Sequence, residues 1–296
     1  MVLLTGTSGF IGSKLLIEFI NLFGKDNVLV LSSKENEICP TIIYKNFEIN
    51  SADFLQSPFN KIKTVVHVGA FIPKSTADLN DISKSNSNIF FTQNLLSSLP
   101  ESVEKFIFFS TIDVYQKNNQ IISENNPTSP ETLYGFSKLY CEKMIEQWAN
   151  ANNKIIQILR LGHTYGPGEG LFKKIIPVTM QKIKDNQQPI ILGEGSSKRA
   201  FIYVDDLIFC VKEIMKFDHY KGPVNIVNDQ FVTIKELVHQ IIQVAESNVL
   251  PEYIPQELGK NDVFFDATKL ISLINIEFTP LHVGLKKEWD SMTKTN

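Results

Sequence analysis

Tyr134 and Lys138 are the pair of residues in this sequence whose types and spacing point most directly to acid–base chemistry. They stand four residues apart in the run YGFSK, within a segment of helical pattern. At that spacing both side chains lie on one helix face, with Cβ atoms about 5–6 Å apart. A neighbouring ammonium favours the phenolate, so the pair predicts proton transfer by Tyr134. The pair alone is not diagnostic, because a lysine-rich chain with eight tyrosines produces such spacing by chance.

Thr111 supplies a hydroxyl that strengthens this prediction. It lies in the run STIDVY, directly after the apolar stretch Lys105–Ser110, which we predict to be a strand. In parallel α/β sheets, ligands bind outside the carboxyl ends of the strands. A hydroxyl there can hydrogen-bond a substrate oxygen while Tyr134 moves its proton.

A glycine-rich run near the amino terminus predicts a phosphate site. The run TGTSGFIG (5–12) follows a predicted first strand and opens a predicted helix, and its glycines are three residues apart. Glycine permits the tight turn and lets backbone N–H groups approach a pyrophosphate at a helix N-terminus. The predicted dinucleotide contacts in this run are Gly6, Thr7, Ser8, Gly9, Phe10, Ile11 and Gly12.

The end of the second predicted strand bears on the choice between NAD and NADP. An acidic residue at this point binds the ribose 2′-hydroxyl and repels a 2′-phosphate. This chain has Ser32, Ser33 and Lys34 there instead of a carboxylate. We therefore predict NADP, with NAD as the alternative because Glu35 or Glu37 can supply the missing acid.

Strands and helices alternate through the first half of the sequence and predict the elements that position these residues. Apolar strands are predicted at 2–4, 28–31, 42–49, 64–68, 105–110 and 155–161, with helices at 11–23, 86–98 and 130–150. Continuously apolar strands indicate a parallel sheet covered on both faces. Further helices are predicted at 171–184, 204–216 and 233–245, with strands at 189–192 and 224–227. We expect a dinucleotide-binding domain over 1–167, to which later elements return, and a smaller substrate-binding α/β lobe over 168–296.

Composition excludes several classes of protein. The net charge of −3 provides no basic field for nucleic acid. Three scattered cysteines, no signal peptide at the start of the sequence and no long apolar run predict a cytoplasmic protein without membrane contact. The five histidines lack metal-ligand spacing, so no metal site is predicted.

Seven motifs together resemble the extended short-chain dehydrogenase/reductases, specifically the NAD(P)-dependent epimerase/dehydratase family that acts on nucleotide sugars. The motifs are TGTSGFIG, VVHVGA (65–70), STIDVY, YGFSK, LRLGHTYGPG (159–168), RAFIYVDD (199–206) and FFDATKLISLINIEFTP (264–280). Their order and spacing cover nearly the whole chain. The resemblance implies a doubly wound Rossmann sheet, an NAD(P) cofactor and a nucleoside-diphosphate sugar substrate. It also implies a homodimer formed through the Tyr134 helix and its neighbour.

The resemblance assigns roles to single residues. It implies that Tyr134 is the acid/base, that Lys138 binds the nicotinamide ribose and tunes Tyr134, and that Thr111 is the catalytic hydroxyl. Further cofactor contacts implied in this way are Glu48, Ile49, Val68, Gly69, Ala70, Asn88 and Leu161, and substrate contacts are Phe71, Thr111, Asp113, His163 and Arg199. For Arg160, one of the chain's two arginines, we expect a structural ion pair or backbone bonding.

Departures from the family pattern narrow the activity. Ile112 replaces the aspartate of the Thr-Asp-Glu run of 4,6-dehydratases and cannot donate a proton, which disfavours that activity. His163 replaces an asparagine, and before the last motif Lys260 is the only cation where a second phosphate-binding arginine is expected. We predict an NADPH-dependent 4-ketosugar reductase. The alternatives are a 4-epimerase with tightly bound NAD and a non-catalytic dinucleotide-binding sensor or scaffold.

Overall fold

The computed structural model describes residues 1–116, 121–256 and 262–294. Its strands are β1 (Val2–Thr5), β2 (Val28–Ser32), β3 (Thr41–Ile43), β4 (Thr64–His67), β5 (Lys105–Thr111), β6 (Ile121–Ile122), β7 (Ile155–Leu161), β8 (His163–Tyr165), β9 (Ile190–Leu192), β10 (Lys198–Tyr203), β11 (Val224–Ile226), β12 (Phe231–Thr233), β13 (Glu252–Ile254) and β14 (Phe264–Phe265). The α-helices are α1 (Phe10–Phe23), α2 (Ile82–Ser98), α3 (Leu133–Asn152), α4 (Ile175–Lys184), α5 (Val204–Ile214), α6 (Ile234–Val244), α7 (Thr268–Ile274) and α8 (Leu281–Thr293). None of these helices is both long and apolar enough to span a membrane.

A seven-stranded sheet forms the centre of the fold and confirms the predicted Rossmann class. Its strand order is β11-β7-β5-β4-β1-β2-β3, and β1 runs parallel to both β2 and β4. Leu3 of β1 pairs with Leu29 and Val65, and all three are fully buried. Strands covered on both faces need apolar residues at every position, which is why these segments lack polar alternation.

The chain divides into two compact units. The first comprises residues 1–115, 128–160 and 211–224. Its core joins the inner strands to one face each of α2 and α3, with Phe106 and Phe108 from the sheet and Leu95, Cys141 and Ile145 from the helices. Side chains cap both helices: Asp81 accepts from the N–H of Lys84 and Thr132 accepts from that of Gly135. These caps fix where α3, the helix with the predicted acid–base pair, begins.

Several predicted elements have other bounds in the structure; helix α2, for example, begins at Ile82 and not at 86. The strand predicted over 42–49 ends at Ile43, because Asn46 and Phe47 adopt left-handed conformations with φ of 52° and 63°. The resulting turn pairs Lys45 with Glu48 through backbone hydrogen bonds of 2.9 and 3.4 Å. The helix predicted to begin at 171 begins instead at Ile175, after a single 3₁₀ turn.

The second unit comprises residues 116–127, 161–210 and 225–296, of which 117–120, 257–261 and 295–296 are not described. A three-stranded sheet, β12-β10-β8, is its centre, and the pairs β9–β13 and β6–β14 are parallel. Helix α6 begins with the capping box of Thr233 and Glu236. The functional division into a 1–167 cofactor domain and a 168–296 substrate lobe stays a prediction.

Candidate active site

Helix α3 carries the predicted acid–base pair on its buried face. Tyr134 and Lys138 are both almost fully buried, and Glu142 continues the same row one turn later. The Nζ of Lys138 lies 4.2 Å from the centroid of the Phe108 ring. Burial lowers the pKa of Lys138 to about 8, opposed by Cys141 and Glu142. The sequence motif is therefore a buried pair in the structure and not part of a solvated helix surface.

Thr111 and Asp113 adjoin Tyr134 in the first unit. Thr111 caps the single 3₁₀ turn Ile112–Val114, accepting from the N–H of Asp113 at 3.2 Å and donating to its carboxylate at 3.3 Å. Burial raises the pKa of Tyr134 well above its usual value, Asp113 raises it further, and hydrogen bonding with Thr111 lowers it. The phenol therefore holds its proton in this environment. A cation near its oxygen is needed before it can act as a base near neutral pH.

Gly135 accounts for the close approach of α3 to the Thr111–Asp113 segment. A Cβ added at Gly135 would lie 2.3 Å from the carbonyl oxygen of Asp113. Only a residue without a side chain permits that approach. The glycine next to Tyr134 is therefore needed to bring Tyr134 and Asp113 together.

Asn88 and Phe71 form a brace beside Tyr134. The Asn88 carboxamide accepts from the Phe71 N–H at 2.7 Å, and it donates to the Phe71 carbonyl and to Ser137 Oγ at 3.2 Å each. The Phe71 ring meets Tyr134 edge-on, with centroids 6.4 Å apart. Asn88 thereby ties the segment after β4 to α3, while the predicted contacts of both residues with ligands stay predictions.

The glycine-rich loop has the geometry of a phosphate cradle. Gly6 has φ of 73°, and a Cβ there would lie 2.6 Å from the N of Gly69. A Cβ on Gly12 would lie 2.0 Å from the carbonyl oxygen of Gly6. Gly9 precedes α1, and no side chain among the described residues caps it. The amino end of α1 thus presents backbone amides, and the loop fits a dinucleotide pyrophosphate.

His67 joins this loop region to α2 through a directed chain of hydrogen bonds. The Gly69 N–H donates to Thr5 Oγ1 at 2.8 Å, which lies 2.9 Å from His67 Nδ1. On the other side, His67 Nε2 lies 3.2 Å from Thr92 Oγ1, which donates to the Asn88 carbonyl. Because each threonine has one proton and Thr92 donates its own to Asn88, His67 carries its proton on Nε2. Burial, then Lys138, lowers the pKa of His67 to about 3, so it is neutral.

The remaining predicted cofactor contacts of the first unit fall into exposed and packed groups. Lys34 donates its N–H to Ser32 Oγ at 3.2 Å, and both Ser33 and Lys34 are exposed at the end of β2. Glu48 is exposed in the turn after β3, whereas Ile49 packs against the core. Thr7 and Phe10 are buried, Ser8 is exposed, and Ile11, Val68 and Ala70 are half-buried.

Arg160 has the structural role expected for it. Its guanidinium makes two hydrogen bonds to the Glu142 carboxylate, at 3.0 and 2.6 Å, and a third to the Tyr115 hydroxyl at 2.7 Å. Ser110 donates to the same carboxylate at 2.5 Å. This buried network joins β5 and β7 to α3 and confirms the predicted structural ion pair.

The second unit contains a cavity of about 310 Å³ next to β8 and β10. Its lining combines cationic or ionisable groups with apolar ones, namely His163, Arg199, Lys174, Glu169, Thr164, Tyr165, Ile175, Ile176, Phe201 and Ile234. Arg199 is half-buried, its Nη1 donates to the Lys198 carbonyl at 2.7 Å, and burial lowers its pKa. Two predicted substrate contacts, His163 and Arg199, are therefore brought to one cavity. Leu161, a predicted cofactor contact, is the half-buried last residue of β7.

Sequence reasoning missed three residues of these sites. The buried hydrogen bonds of His67 depend on partners 25 and 62 positions away. Glu169 and Lys174 reach the cavity from the segment after β8, where only the charge of each residue was visible in the sequence.

Lys260, considered as a phosphate-binding cation, lies outside the described residues. Within those residues, no cluster of three or more His, Cys, Asp or Glu side chains has metal-binding geometry.

The parallel sheet, the glycine cradle and the Thr111–Tyr134–Lys138 group define a nucleotide-binding enzyme of the Rossmann class. The chain belongs to the NAD dependent epimerase/dehydratase family, whose sequence profile matches residues 2–228. This confirms the resemblance found in the sequence, and the enzymes of this family act on nucleotide sugars.

Curated relatives include both epimerases and reductases. The chain is 28% identical over 247 residues to a putative UDP-glucose 4-epimerase of Methanocaldococcus jannaschii, covering 80% of each chain. It is 27% identical over 289 residues to the dTDP-4-dehydro-6-deoxyglucose reductase of Escherichia coli, covering 92% of this chain and 90% of the reductase.

Solved structures share the fold across the full length. The UDP-glucuronic acid 4-epimerase of Bacillus cereus, in complex with UDP-glucuronic acid and NAD, superimposes with a TM-score of 0.85 at 22% identity, covering 100% of this chain and 99% of that one. The UDP-glucose 4-epimerase of Thermotoga maritima, with UDP-glucose, gives 0.84 at 21% identity and covers 99% of both chains.

Proposed function

We propose that this enzyme is a nucleotide-sugar 4-epimerase that retains a nicotinamide dinucleotide. The observation that carries the proposal is the buried group on α3, in which Tyr134 adjoins Thr111 and stands one turn before Lys138. The Methanocaldococcus jannaschii relative and the two solved structures, all named as 4-epimerases, support this choice over the reductase that the sequence favoured.

Tyr134 transfers the proton in the proposed epimerisation. In the first half of the reaction its phenolate takes the proton of the sugar hydroxyl at C4, and in the second half the phenol returns it. Burial and Asp113 raise the pKa of Tyr134. In the proposed reaction the ammonium of Lys138, one turn later on the same helix face, is the cation that stabilises the phenolate. Thr111 holds the reacting oxygen by a hydrogen bond. A bound nicotinamide dinucleotide supplies the hydride exchange at the same carbon.

Cofactor and substrate are held by separate groups of residues. The glycine loop and the amino end of α1 bind the pyrophosphate of the dinucleotide, and Ser32, Ser33 and Lys34 face its adenosine ribose. In the second unit, Arg199 and His163 bind the diphosphate of the nucleotide sugar, because a guanidinium forms paired hydrogen bonds with phosphate oxygens. The apolar cavity residues contact the nucleoside.

A 4-ketosugar reductase using NADPH is the second candidate. The Ser32-Ser33-Lys34 end of β2 favours it, since a net reduction draws on NADPH, and so does the match to the Escherichia coli reductase. An epimerase returns the hydride to the carbon that lost it, so either dinucleotide supports that reaction. A non-catalytic role is disfavoured because Thr111, Tyr134 and Lys138 are all present and adjoin one another.

The test is interconversion of UDP-glucose and UDP-galactose by the purified protein without added reductant. We expect turnover in the wild type, a dinucleotide that stays bound through gel filtration, and a loss of about 10²–10⁴ in rate in Tyr134→Phe. Tyr140→Phe, an exposed tyrosine on the same helix, is the matched control and should retain full activity.

Two outcomes contradict the proposal. Turnover that survives Tyr134→Phe shows that the acid/base assignment is wrong. Stoichiometric consumption of NADPH with a nucleotide 4-ketosugar, without epimerisation of any nucleotide sugar tested, shows that the enzyme is the reductase.

A further inference from the structure

Two carboxyl groups, Glu169 and Glu288, are buried next to each other in the second unit. Glu169 is 1% exposed and begins the 3₁₀ turn after β8, and Glu288 is 2% exposed on α8. Both oxygens of Glu169 and Oε2 of Glu288 accept no hydrogen bond within 3.5 Å from the described residues. Two ionised carboxylates buried without donors would destabilise the fold, and a proton held between the two groups supplies the missing donor.

Close packing of α8 explains how Glu288 reaches the interior. Gly284 lies one turn before Glu288, and a Cβ added to it would lie 2.1 Å from the Tyr165 hydroxyl oxygen. The absence of a side chain lets α8 lie directly against Tyr165. Because residues four apart share a helix face, Glu288 points the same way as Gly284.

Burial, more than mutual repulsion, keeps a proton on this carboxyl pair. Burial raises the pKa of both groups, and Glu169 raises that of Glu288 further. Lys174 lowers both, with its Nζ 3.6 Å from Glu169 Oε2. One ammonium compensates one negative charge, so a single proton shared by the two carboxyls leaves the cluster neutral.

Lys174 connects the buried pair to the cavity. Its Nζ donates to the Thr164 carbonyl at 3.2 Å and lies 5.1 Å from the Phe172 ring centroid. Its side chain is 41% exposed, and Lys174 lines the cavity together with Arg199, His163 and Glu169. The ammonium is therefore held at one side by Glu169 and is accessible at the other.

We propose that Glu169 and Glu288 act as one proton-sharing pair whose single negative charge positions Lys174 beside Arg199, as a second cation for the diphosphate of the nucleotide sugar. This inference rests on the proposed nucleotide-sugar activity. Glu169 and Glu288 are positioning residues, whereas Lys174 binds the ligand. Removing the shared proton adds a second negative charge behind Lys174, so affinity for the diphosphate falls as pH rises.

Other ionisable groups surround the pair and must be separated from it experimentally. Tyr165 and Tyr203 interact with Glu288, and Asp206 interacts with both tyrosines. Lys287 lies 5.1 Å from the Tyr203 ring centroid, and His163 lines the cavity itself. The pH dependence is therefore read as the difference between wild type and Glu288→Gln, in which these groups are unchanged.

The experiment is calorimetric titration of the full-length protein with UDP-glucose or dTDP-glucose, whichever binds more tightly, at pH 7 and pH 9. The diphosphate diester carries the same charge at both pH values, and the ionisation of the pyrimidine N3–H that begins toward pH 9 acts equally on wild type and variant. At pH 7 we expect Lys174→Met to weaken binding about tenfold and Glu169→Gln about threefold. Lys173→Met removes the same charge from an exposed neighbour outside the cavity and should change the affinity less than about twofold.

The comparison of binding at pH 7 with binding at pH 9 tests the shared proton and does not depend on the Glu169→Gln variant. Wild-type affinity should fall about fivefold from pH 7 to pH 9, and that of Glu288→Gln should stay constant, because a lone carboxylate paired with Lys174 is ionised at both values. Equal pH dependence in the two proteins overturns the shared proton. Binding unaffected by Lys174→Met overturns the inference while the proposed function stands, whereas a wild type that binds neither nucleotide sugar refutes both.

Discussion

The ammonium of Lys138 lies 4.2 Å from the centroid of the Phe108 ring, one helical turn after Tyr134. The face of the aromatic ring attracts the cation and offsets part of the cost of removing it from water. Burial still dominates, because the pKa of Lys138 falls from 10.5 to about 8. The charged form of Lys138 therefore lowers the free energy of unfolding.

Lys138→Met should stabilise the fold and abolish turnover. The unfolded chain binds the lysine proton more tightly than the fold does between pH 8 and 10.5, so wild-type stability rises over that range. At pH 7 the substitution should raise the free energy of unfolding by about 2 kcal/mol, after allowing for the lost cation–π contact. Urea unfolding should show this gain at pH 7 and its disappearance above pH 10.5.

The exposed Lys143 on the same helix provides the control for that measurement. Lys143→Met should change the free energy of unfolding by less than about 0.5 kcal/mol at either pH. A Lys138→Met protein that is equally destabilised at both pH values would contradict the desolvation argument.

His67 should make the fold sensitive to acid. The unfolded histidine takes up a proton near pH 6.5, but the folded one does so only near pH 3, so stability is lost as the pH falls below 6.5. The contribution of His67 should fall by about 2 kcal/mol between pH 8 and pH 5.

The contribution of His67 is isolated by measuring the free energy of unfolding of wild type and of His67→Leu at each pH. The difference between them cancels the effects of the other titrating groups. His67→Leu is expected to be less stable at pH 8, because it breaks the hydrogen bonds to Thr5 and Thr92, but to lose less stability in acid. His239→Leu, an exposed position on α6, should follow the wild-type profile. If His67→Leu does the same, a neutral buried histidine is the wrong description.

Lys34 should set the preference for NADP over NAD. In Lys34→Glu, a carboxylate replaces the ammonium at the end of β2 and repels a 2′-phosphate. We expect binding of NADP⁺ to weaken at least about tenfold and that of NAD⁺ to be retained or improved. Calorimetric titration of protein freed of its bound dinucleotide measures both affinities, with Lys61→Glu, another exposed lysine of the first unit, as control. Equal losses for the two dinucleotides would place Lys34 away from the ribose.

Arg199→Lys should separate substrate binding from cofactor binding. Lysine keeps the charge but not the planar fork that pairs with two phosphate oxygens. Nucleotide-sugar affinity is expected to fall about fivefold, with dinucleotide affinity unchanged. Should dinucleotide affinity fall instead, the assignment of Arg199 to the substrate diphosphate is wrong.

An apolar surface on α2 and α3 predicts self-association. Ile82, Phe90, Phe136 and Tyr140 each expose more than half of their surface, and α2 packs on α3. Apolar groups concentrated on two adjacent helices are typical of an interface. We expect a dimer in sedimentation experiments and a monomer for the double variant Phe90→Asp/Phe136→Asp. Ile17→Asp, exposed on α1, should leave the dimer intact; a monomeric wild type contradicts the prediction.

The fold could be predicted largely because each buried parallel strand is a continuous run of apolar residues. Such a run is visible in the sequence without knowledge of the neighbouring strands. Strand β7 occupies the predicted residues 155–161, and α6 begins after the predicted Thr233 cap. Strand β3 was predicted too long because Asn46 and Phe47 adopt left-handed conformations. Asn46 is a residue type that favours this conformation, but nothing in the type of Phe47 indicates it. The local sequence pattern was enough to identify these elements. The end of β3 depends on the backbone conformation of the residues that follow it.

The site was predictable only where its residues are close in sequence. Tyr134, Lys138 and Thr111 belong to short motifs, whereas the tautomer of His67 depends on Thr92 and Asn88 together. The pairing of Glu169 with Glu288 joins residues more than a hundred positions apart. Such contacts arise from packing of complete elements, which one sequence does not encode in any local spacing.

The interlocked backbones of Gly6, Gly12 and Gly69 limit how this protein can be engineered. Every Cβ added at these positions would lie within 3 Å of another atom, so none of the three accommodates a methyl group without movement of its neighbours. Libraries that randomise these three glycines would consist mainly of misfolded clones. Redesign for a different coenzyme should therefore vary the solvent-facing residues 32–34 and leave the cradle untouched.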